Sequence, residues 1–552
     1  MKIKLLFLIF ILFYLAIIVR LFYLQVLRPR ASNNQPYLKT EKIVPERGKI
    51  YDRNKNPLVL NENSYLLYLE PKKIDKKSKL IEKLSKSLEI KEASLEANID
   101  DSKYYQAIQG GLNEEKKKEI ESFQLKGIGF DYQMQRFYPE ASIAAHLLGF
   151  VGKNETGDNL GYFGLEGFYD KDLKGLPGFI ESEKDILGRP IFIGTQEKVN
   201  AEDGRDLVLT IDKTVQESSK NVLKQGLEKY QAKQGCIITA DPSTMQILGL
   251  VCLPDYDQAN YFKFSEDFFK DPAISDLYEP GSIFKPLMMA AAIEEKKIKP
   301  TDSYNEDGPI KIGDYSIKTW NDKYEGKISI TRILEKSSNT GMVFVGEKLG
   351  QGNIFKYLQK YGFDEKTEID LQGEMVGYLK PKSQWYPIDF ATITFGQGIA
   401  VTPIQMLRAF TSLINGGKLL KPYLVQKITS SDRENIIKPK VERQVVSKTT
   451  SEIIKKMLVS AVENGEYHWD RPKGYQIGGK TGTAQVPIAG HYDPTKTIAS
   501  FIGFFPVDNP KIITLVILKE PKASPWGSET AAPMFFELAK QLIVYYGMTP
   551  EQ

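Results

Sequence analysis

The chain has 552 residues, 41% of them hydrophobic and 26% charged, and 74 Lys+Arg against 70 Asp+Glu leave a formal charge of +4. That balance suits globular material in two or three domains and excludes a disordered or fibrous chain. With no dense basic block, it also argues against nucleic acid as a partner.

Leu5–Val19 is an unbroken apolar run, and Leu21–Leu27 extends it beyond Arg20 to about the length that crosses a bilayer. This reads as a single transmembrane helix over 5–27 behind a cytoplasmic tail of residues 1–4, with Arg20 reaching a headgroup layer by snorkelling. A cleaved signal peptide is the alternative; the length of the run and the lack of a small-x-small cleavage site stand against it. Lys2 and Lys4 precede the span and Arg28 and Arg30 follow it, so loop charge does not settle its orientation. Pro29–Lys42 then reads as a polar stalk.

Tyr65–Pro71, aromatic and aliphatic and bounded by Asn and Pro, reads as a strand. Across Lys72–Asp100, Leu80, Ile81, Leu84 and Leu88 recur at helical spacing on a charged background, and Glu114–Phe123 reads as a second helix. Residues 72–130 are therefore expected to form a mostly helical insertion between β segments. Leu207–Ile211 reads as a strand and Val215–Lys233 as a helix. Two apolar strands, Cys236–Ala240 and Ile247–Val251, then open a second domain, with the boundary near Tyr230. Thr497–Phe505 and Lys511–Leu518 read as paired strands and Ala531–Tyr546 as a closing helix. The expected fold class is α+β, its larger domain an antiparallel sheet covered by helices. Cys236 and Cys252, the two cysteines, read as buried free thiols, the alternative being a pair facing across the hairpin.

Three short motifs follow one another in the second domain: Ser282-Ile-Phe-Lys285, Ser337-Ser-Asn339 and Lys480-Thr-Gly-Thr483. Ser282 and Lys285 sit three apart in the first turn of the helix that runs on through Leu287–Glu295, so their side chains share a face. A serine hydroxyl becomes a nucleophile when a base takes its proton, and lysine is such a base when burial or a second cation keeps it neutral. Pro286 disfavours a regular helical conformation at Lys285, which suggests a strained turn there. Ser337-Ser-Asn339 lies between the helical runs Ile328–Lys336 and Met342–Leu349, where helix capping competes with a role in proton relay and substrate hydrogen bonding. Gly474 to Thr481 satisfies the spacing of a phosphate-binding loop, but Thr483-Ala-Gln-Val-Pro487 follows as extended chain where such a loop needs a helix. The segment reads instead as an edge strand whose glycines let substrate lie close. On it, Lys480, Thr481 and Thr483 present a cation and hydroxyls to a carboxylate. His146, His468 and His491 fall in neither a Gly-x-Ser-x-Gly elbow nor a His-Glu-x-x-His pair, which argues against a Ser-His-Asp hydrolase or zinc enzyme.

Together these motifs resemble those of class B penicillin-binding proteins, membrane-anchored peptidoglycan DD-transpeptidases. Arg47-Gly-Lys-Ile-Tyr-Asp-Arg-Asn54, Arg136-Phe-Tyr-Pro139 and Gly164-Leu-Glu166 are similar to the pedestal signatures of that family, except that Lys55-Asn56 follows where a glycine is usual. Gly396-Gln-Gly398, Thr402-Pro-Ile-Gln405 and Gly527–Pro533 also match its patterns. The resemblance implies an elongated mixed pedestal or dimerisation-type domain over 28–229 and a penicillin-binding transpeptidase domain over 230–552. It implies that Ser282 attacks the penultimate D-Ala carbonyl of a stem pentapeptide with Lys285 as base, while Ser337 relays a proton and Asn339 holds the donor. Lys480, Thr481, Gly482 and Thr483 would bind the terminal carboxylate, with the Ser282 and Thr483 N–H groups as oxyanion hole. No metal or cofactor is implied. β-Lactams are the implied inhibitors, and a SEDS-type glycan polymerase and divisome membrane proteins the implied partners. The implied location is the bacterial cytoplasmic membrane with the catalytic domain outside. Asn339, Thr481 and Tyr278-Glu-Pro-Gly281 look more like the septal, division-type enzymes, with the elongation type as alternative. A β-lactamase, a β-lactam sensor and an inactive scaffold are the rival readings.

Overall fold

The computed structural model of the protein describes residues 2–23, 38–139, 143–155, 157–183, 196–465, 467, 469–488 and 491–550. Residues 24–27 of the expected span, 29–37 of the expected stalk, and His468 lie outside them. Chain contacts divide the molecule into two units.

The first unit, residues 1–45 and 176–202, holds the helix Lys2–Phe22 and a three-stranded antiparallel sheet ordered Leu38–Ile43, Gly178–Glu183, Gln196–Val199. The end of the expected stalk is thus a strand. Among the described residues no helix is long and apolar enough to cross a membrane, so the fold by itself does not establish the span expected over 5–27.

The second unit, residues 46–175 and 203–552, is built on two sheets. Its five-stranded antiparallel sheet runs in the order Ile247–Leu253, Gln234–Ala240, Ile512–Lys519, His491–Phe505, Gly478–Ile488. Both faces are covered, and strand alternation divides the apolar side chains between two cores. Ile513, Leu515 and Ile517 enter one core with the helix Lys285–Glu294, while Ile512, Val516 and Leu518 enter the other with the helices Lys213–Tyr230 and Ala531–Tyr545. The larger domain is therefore the expected α+β sandwich of an antiparallel sheet and helices. Cys236 and Cys252 are buried, but they are not free thiols: they occupy directly opposed positions on the hairpin and form a disulfide.

The other sheet joins Glu434–Ile436, Val425–Thr429, Asp206–Leu209, Ile50–Tyr51, Pro57–Leu69 and Gln106–Leu112 in that order, with Ile128–Phe137 also paired to Pro57–Leu69. The insertion over 72–130 is more mixed than its periodicity suggests. Its expected long helix is two, Lys77–Leu88 and Glu92–Asn98, because Glu89 takes a left-handed conformation that ends the first. Gln106–Leu112 and the start of Ile128–Phe137 are strands, and with the helix Glu114–Ser122 they enclose a small core around Leu67, Leu80, Leu84 and Ile120. At the turn after Asn54 it is Lys55 that adopts the left-handed conformation in place of the usual glycine.

The three pedestal signatures converge on one buried ion cluster. Arg47 pairs with Glu166 at 2.6 Å and with Asp170 at 2.8 Å, and Arg136 pairs with the other Glu166 oxygen at 2.7 Å while donating to Asn61 and to the Gly48 carbonyl. Two guanidiniums flank one carboxylate that is 0% exposed. Deleting a single member of such a cluster strands its partners in low dielectric. Glu166→Ala is expected to lower unfolding stability by about 3–5 kcal/mol, read by chemical denaturation followed through tryptophan fluorescence.

Candidate active site

Tyr278 exchanges backbone hydrogen bonds with Val401 in both directions at 3.0 Å, and Gly281 N–H donates to the Gly396 carbonyl at 3.0 Å. A Cβ on Gly396 would lie 2.2 Å from the Gly281 oxygen, so glycine is required where these two segments cross. Gly281–Phe284 then forms one 3-10 turn that runs into the helix Lys285–Glu294. The strain expected at Lys285 is not there: φ −52° and ψ −44° are ordinary helical values. Pro286 sits in the first helical turn, where its missing N–H would have had no partner. Ile283 and Phe284 are buried anchors, leaving Ser282 half-buried and facing a cleft of about 350 Å³.

Lys285 is 0% exposed, and its Nζ donates to the Ser337 carbonyl at 2.6 Å, to Ser337 Oγ at 3.1 Å and to Asn339 Oδ1 at 2.8 Å. These partners come from the turn between the helices Ile330–Glu335 and Asn339–Leu349. The first helix starts two residues later than its apolar run, because Gly326–Ser329 is a strand. The capping role open to this motif falls to Ser338, whose Oγ accepts from Gly341 N–H at 2.9 Å. Ser337 is in the left-handed region at φ +59°, and the reversal it makes turns Ser337 and Asn339 onto Lys285. Asn339 Nδ2 donates to the Lys318 carbonyl at 3.0 Å, which fixes its amide.

Lys480, Thr481, Gly482 and Thr483 lie on Gly478–Ile488, the edge strand of the five-stranded sheet, rather than at a helix start that could cradle phosphate. Lys480 Nζ donates to Ser337 Oγ at 3.0 Å, and to the carbonyl and hydroxyl of Thr481 at 3.2 Å. Ser337 Oγ thus stands between two amines. Gly482 is where the serine turn crosses the strand: a Cβ there would lie 2.4 Å from Ser500 Oγ and 3.0 Å from the Ile283 side chain. Thr483 Oγ1 accepts from Gly527 N–H at 3.0 Å, tying the strand to the segment before the last helix. Ser282, Ser337, Asn339, Lys480, Thr481 and Thr483 all line the one cleft; Lys285 and Gly482 stand behind its wall.

Burial first, and the Lys480 cation second, hold Lys285 well below the usual lysine range, with Glu306 acting in the opposite sense. An amine whose hold on its proton is weakened in this way can, once deprotonated, accept a proton from a serine hydroxyl, Ser337 can pass one onward, and Lys480 with the threonine hydroxyls can hold an anion. Several cleft residues carry no sequence signal. Three of the four tryptophans, Trp320, Trp469 and Trp526, line one wall, and Trp320 contacts Trp526 edge to face at 5.1 Å. Burial raises the carboxyl of Glu279, which accepts from Gly398 N–H at 3.0 Å and from the Tyr492 hydroxyl at 3.1 Å.

Such a cleft beside the edge strand of a sheet sandwiched by helices defines a serine acyl-transfer domain. Residues 235–540 match the model of the penicillin binding protein transpeptidase domain, and residues 42–209 that of the penicillin-binding protein dimerisation domain. The stage V sporulation protein D of Bacillus subtilis is 33% identical over 517 residues, covering 92% of this chain and 79% of that protein. A peptidoglycan D,D-transpeptidase FtsI homolog of Mesostigma viride is 31% identical over 557 residues, covering 95% and 92%. Among solved structures, penicillin binding protein 2X from Streptococcus thermophilus matches with a TM-score of 0.75 at 25% identity, covering 92% of this chain and 80% of that one. The chain belongs to the penicillin-binding protein transpeptidase family, and the dimerisation domain ahead of the catalytic one makes it a class B member.

Lys480→Gln removes one of the two causes that hold Lys285 below the usual lysine range. Its pKa then rises, the neutral fraction at a given pH falls, and reactivity that needs the free amine appears at higher pH. The expected outcome is a shift of the ascending limb of Ser282 acylation toward alkaline pH, measured as the rate of penicillin adduct formation by mass spectrometry.

Proposed function

We propose that this protein is a peptidoglycan D,D-transpeptidase that cross-links stem peptides through an acyl-enzyme on Ser282. The observation that carries this is the set Ser282, Ser337 and Lys480 lining one cleft, in which the fully buried Lys285 amine, held well below the usual lysine range, and the Lys480 amine share the Ser337 hydroxyl. Lys285 takes the proton of Ser282 Oγ as it attacks the penultimate D-Ala carbonyl of a pentapeptide, the peptide lying antiparallel along the edge strand. Lys480, Thr481 and Thr483 hold the terminal carboxylate, Gly482 letting the serine turn pack against the strand that carries them. The N–H groups of Ser282 and Thr483 face the developing oxyanion, each such donor contributing about 3 kcal/mol. Collapse breaks the D-Ala–D-Ala amide, the leaving amine takes its proton through Ser337, and Asn339 steadies the donor. The amine of a second stem peptide then attacks the ester and gives up a proton toward Lys285, which restores the Ser282 hydroxyl.

The same reading makes residues 28–229 the pedestal and 230–552 the catalytic domain. Asn339, Thr481 and Tyr278-Glu-Pro-Gly281, together with relatives named FtsI homologs, support the septal role. A SEDS-type glycan polymerase and divisome proteins are then the membrane partners. The apolar sequence Leu5–Leu27 supports a single-pass anchor in the bacterial cytoplasmic membrane with the cleft outside, and an alkaline carbonate wash is expected to leave the full chain with the membranes; release into the supernatant would refute the anchor.

The reaction itself is tested with a fluorescent penicillin. Wild-type protein is expected to form a long-lived covalent adduct and Ser282→Ala none. Labelling that survives the substitution would overturn the assignment, and rapid release of hydrolysed drug would move the protein to the β-lactamases.

A further inference from the structure

The cleft wall has a second side. Residues alternate across the Ser337 turn: Ser337 and Asn339 meet the two amines of the cleft, whereas Lys336, Ser338 and Thr340 turn away onto Glu306. Glu306 ends the strand Ser303–Glu306, which pairs with Gly326–Ser329, and it is 0% exposed. One of its oxygens takes the Lys336 ammonium at 2.5 Å and the Glu325 N–H at 3.3 Å. The other takes the Ser338 hydroxyl and, at 3.3 Å, that of Thr340. Three donors from five consecutive residues and one from Glu325, the residue before the neighbouring strand, therefore converge on one carboxylate. A buried carboxylate survives desolvation when its lone pairs are filled in this way, and the complete set fixes the backbone that carries the donors.

That backbone is the one with a cost attached. Ser337 holds φ +59°, a conformation that a non-glycine residue keeps where its surroundings impose it. Residues 336 and 338, immediately on either side, are both tied to Glu306. Helix capping explains the Ser338 hydroxyl as an acceptor, but not the carboxylate placed to receive its proton, nor a lysine buried to 1% exposure beside it.

We propose that Glu306 is a positioning residue for acyl transfer: it clamps the Ser337 turn through Lys336, Ser338 and Thr340, and its charge balances the cations around Lys285. This rests on the Ser282 acyl-enzyme reading and deepens it. Lys285 faces Lys480 from the edge strand and the uncharged Ser337 and Asn339 from the turn, with Glu306 beyond; Lys336 and, at 3.6 Å from it, Glu325 complete the charged groups on that side. Neutralising Glu306 while Lys336 keeps its charge makes this surrounding more positive and lowers the pKa of Lys285. Removing both charges leaves no unpaired buried cation at position 336.

The test compares pH profiles of penicillin acylation, followed as adduct at Ser282 by mass spectrometry, for wild type, Glu306→Gln, Glu306→Asp and the pair Glu306→Gln with Lys336→Met. Glu306→Gln is expected to cut the plateau rate by up to about 10²-fold through misplacement of the turn and to move the ascending limb to lower pH. Glu306→Asp keeps the charge, so its limb stays at the wild-type pH while its plateau falls for want of reach. The double variant, free of any unpaired buried charge, folds while its plateau stays low. If the limb stays at the wild-type pH in Glu306→Gln, with the rate only scaled, Glu306 is structural and the proposal fails. Should Glu306→Gln not fold, a wild-type plateau in the double variant overturns the clamp. Absence of adduct at Ser282 in wild type would refute the acyl-enzyme reading instead, so the two failures are distinguishable.

Discussion

The site depends on one buried amine. Lys285 is wholly enclosed, yet the atoms that receive its hydrogen bonds are a carbonyl, a hydroxyl and an amide oxygen. Acceptors of this kind satisfy an amine without paying the full Coulomb stabilisation that a carboxylate would give its charged form. A carboxylate in contact would make Lys285 a salt-bridge cation and remove the base. The requirement explains why the polar residues nearest to it are Ser and Asn, and why the acidic residue on that side, Glu306, is held one layer back by Lys336.

The rest of the fold delivers the groups around that amine. The helix Lys285–Glu294 is buried along nearly its whole length, so the position of Lys285 follows from core packing and not from a mobile loop. Lys480 arrives on a strand whose register against His491–Phe505 sets its side, since a slip of one residue would send it to the opposite face. Carboxylates organise the two buried ionic centres at Glu166 and Glu306, on different scales. Glu166 joins Arg47 to Arg136 and ties three distant segments of the chain together. Glu306 joins residues within one turn and one neighbouring strand. The first is a fold-level tie, the second a local one.

The part of the site that was legible in the sequence is the part written in contiguous residues. Ser282 with Lys285, Ser337 with Asn339, and Lys480 through Thr483 are each fixed in spacing by a turn, a helix start or a strand, so the pattern survives without coordinates. Glu306 is not legible, because a single acid 30 residues before Lys336 has no local pattern to mark it. The sheet was readable where both faces are buried, as in Ile512–Lys519, since every residue there is under apolar pressure. Gln106–Leu112 escaped because Gly110 and Gly111 and the polar Gln106 and Gln109 hide the alternation, and tertiary pairing with Pro57–Leu69 decides its state. The long helix expected over 72–100 failed at Glu89, whose left-handed conformation no propensity announces. The cysteine pair was misjudged because its chemistry turns on exact opposition of two strand positions, and that register is a property of the folded hairpin.

Three lysines, Lys285, Lys336 and Lys480, occupy one small region, and each carries its charge differently. Lys336 is neutralised by Glu306 behind the turn. Lys285 is held well below the usual lysine range, through burial and through repulsion by Lys480. Lys480 stands at the cleft, where the carbonyl and hydroxyl of Thr481 and the Ser337 hydroxyl accept from it. The last two are linked through space and through the shared Ser337 hydroxyl. An anion bound at Lys480 would screen the repulsion that helps to hold Lys285 below the usual lysine range, so it would raise the affinity of Lys285 for a proton. On the proposed acyl-transfer reading, the base would then be strengthened when a substrate carboxylate is in place, which is when a proton has to be taken from Ser282.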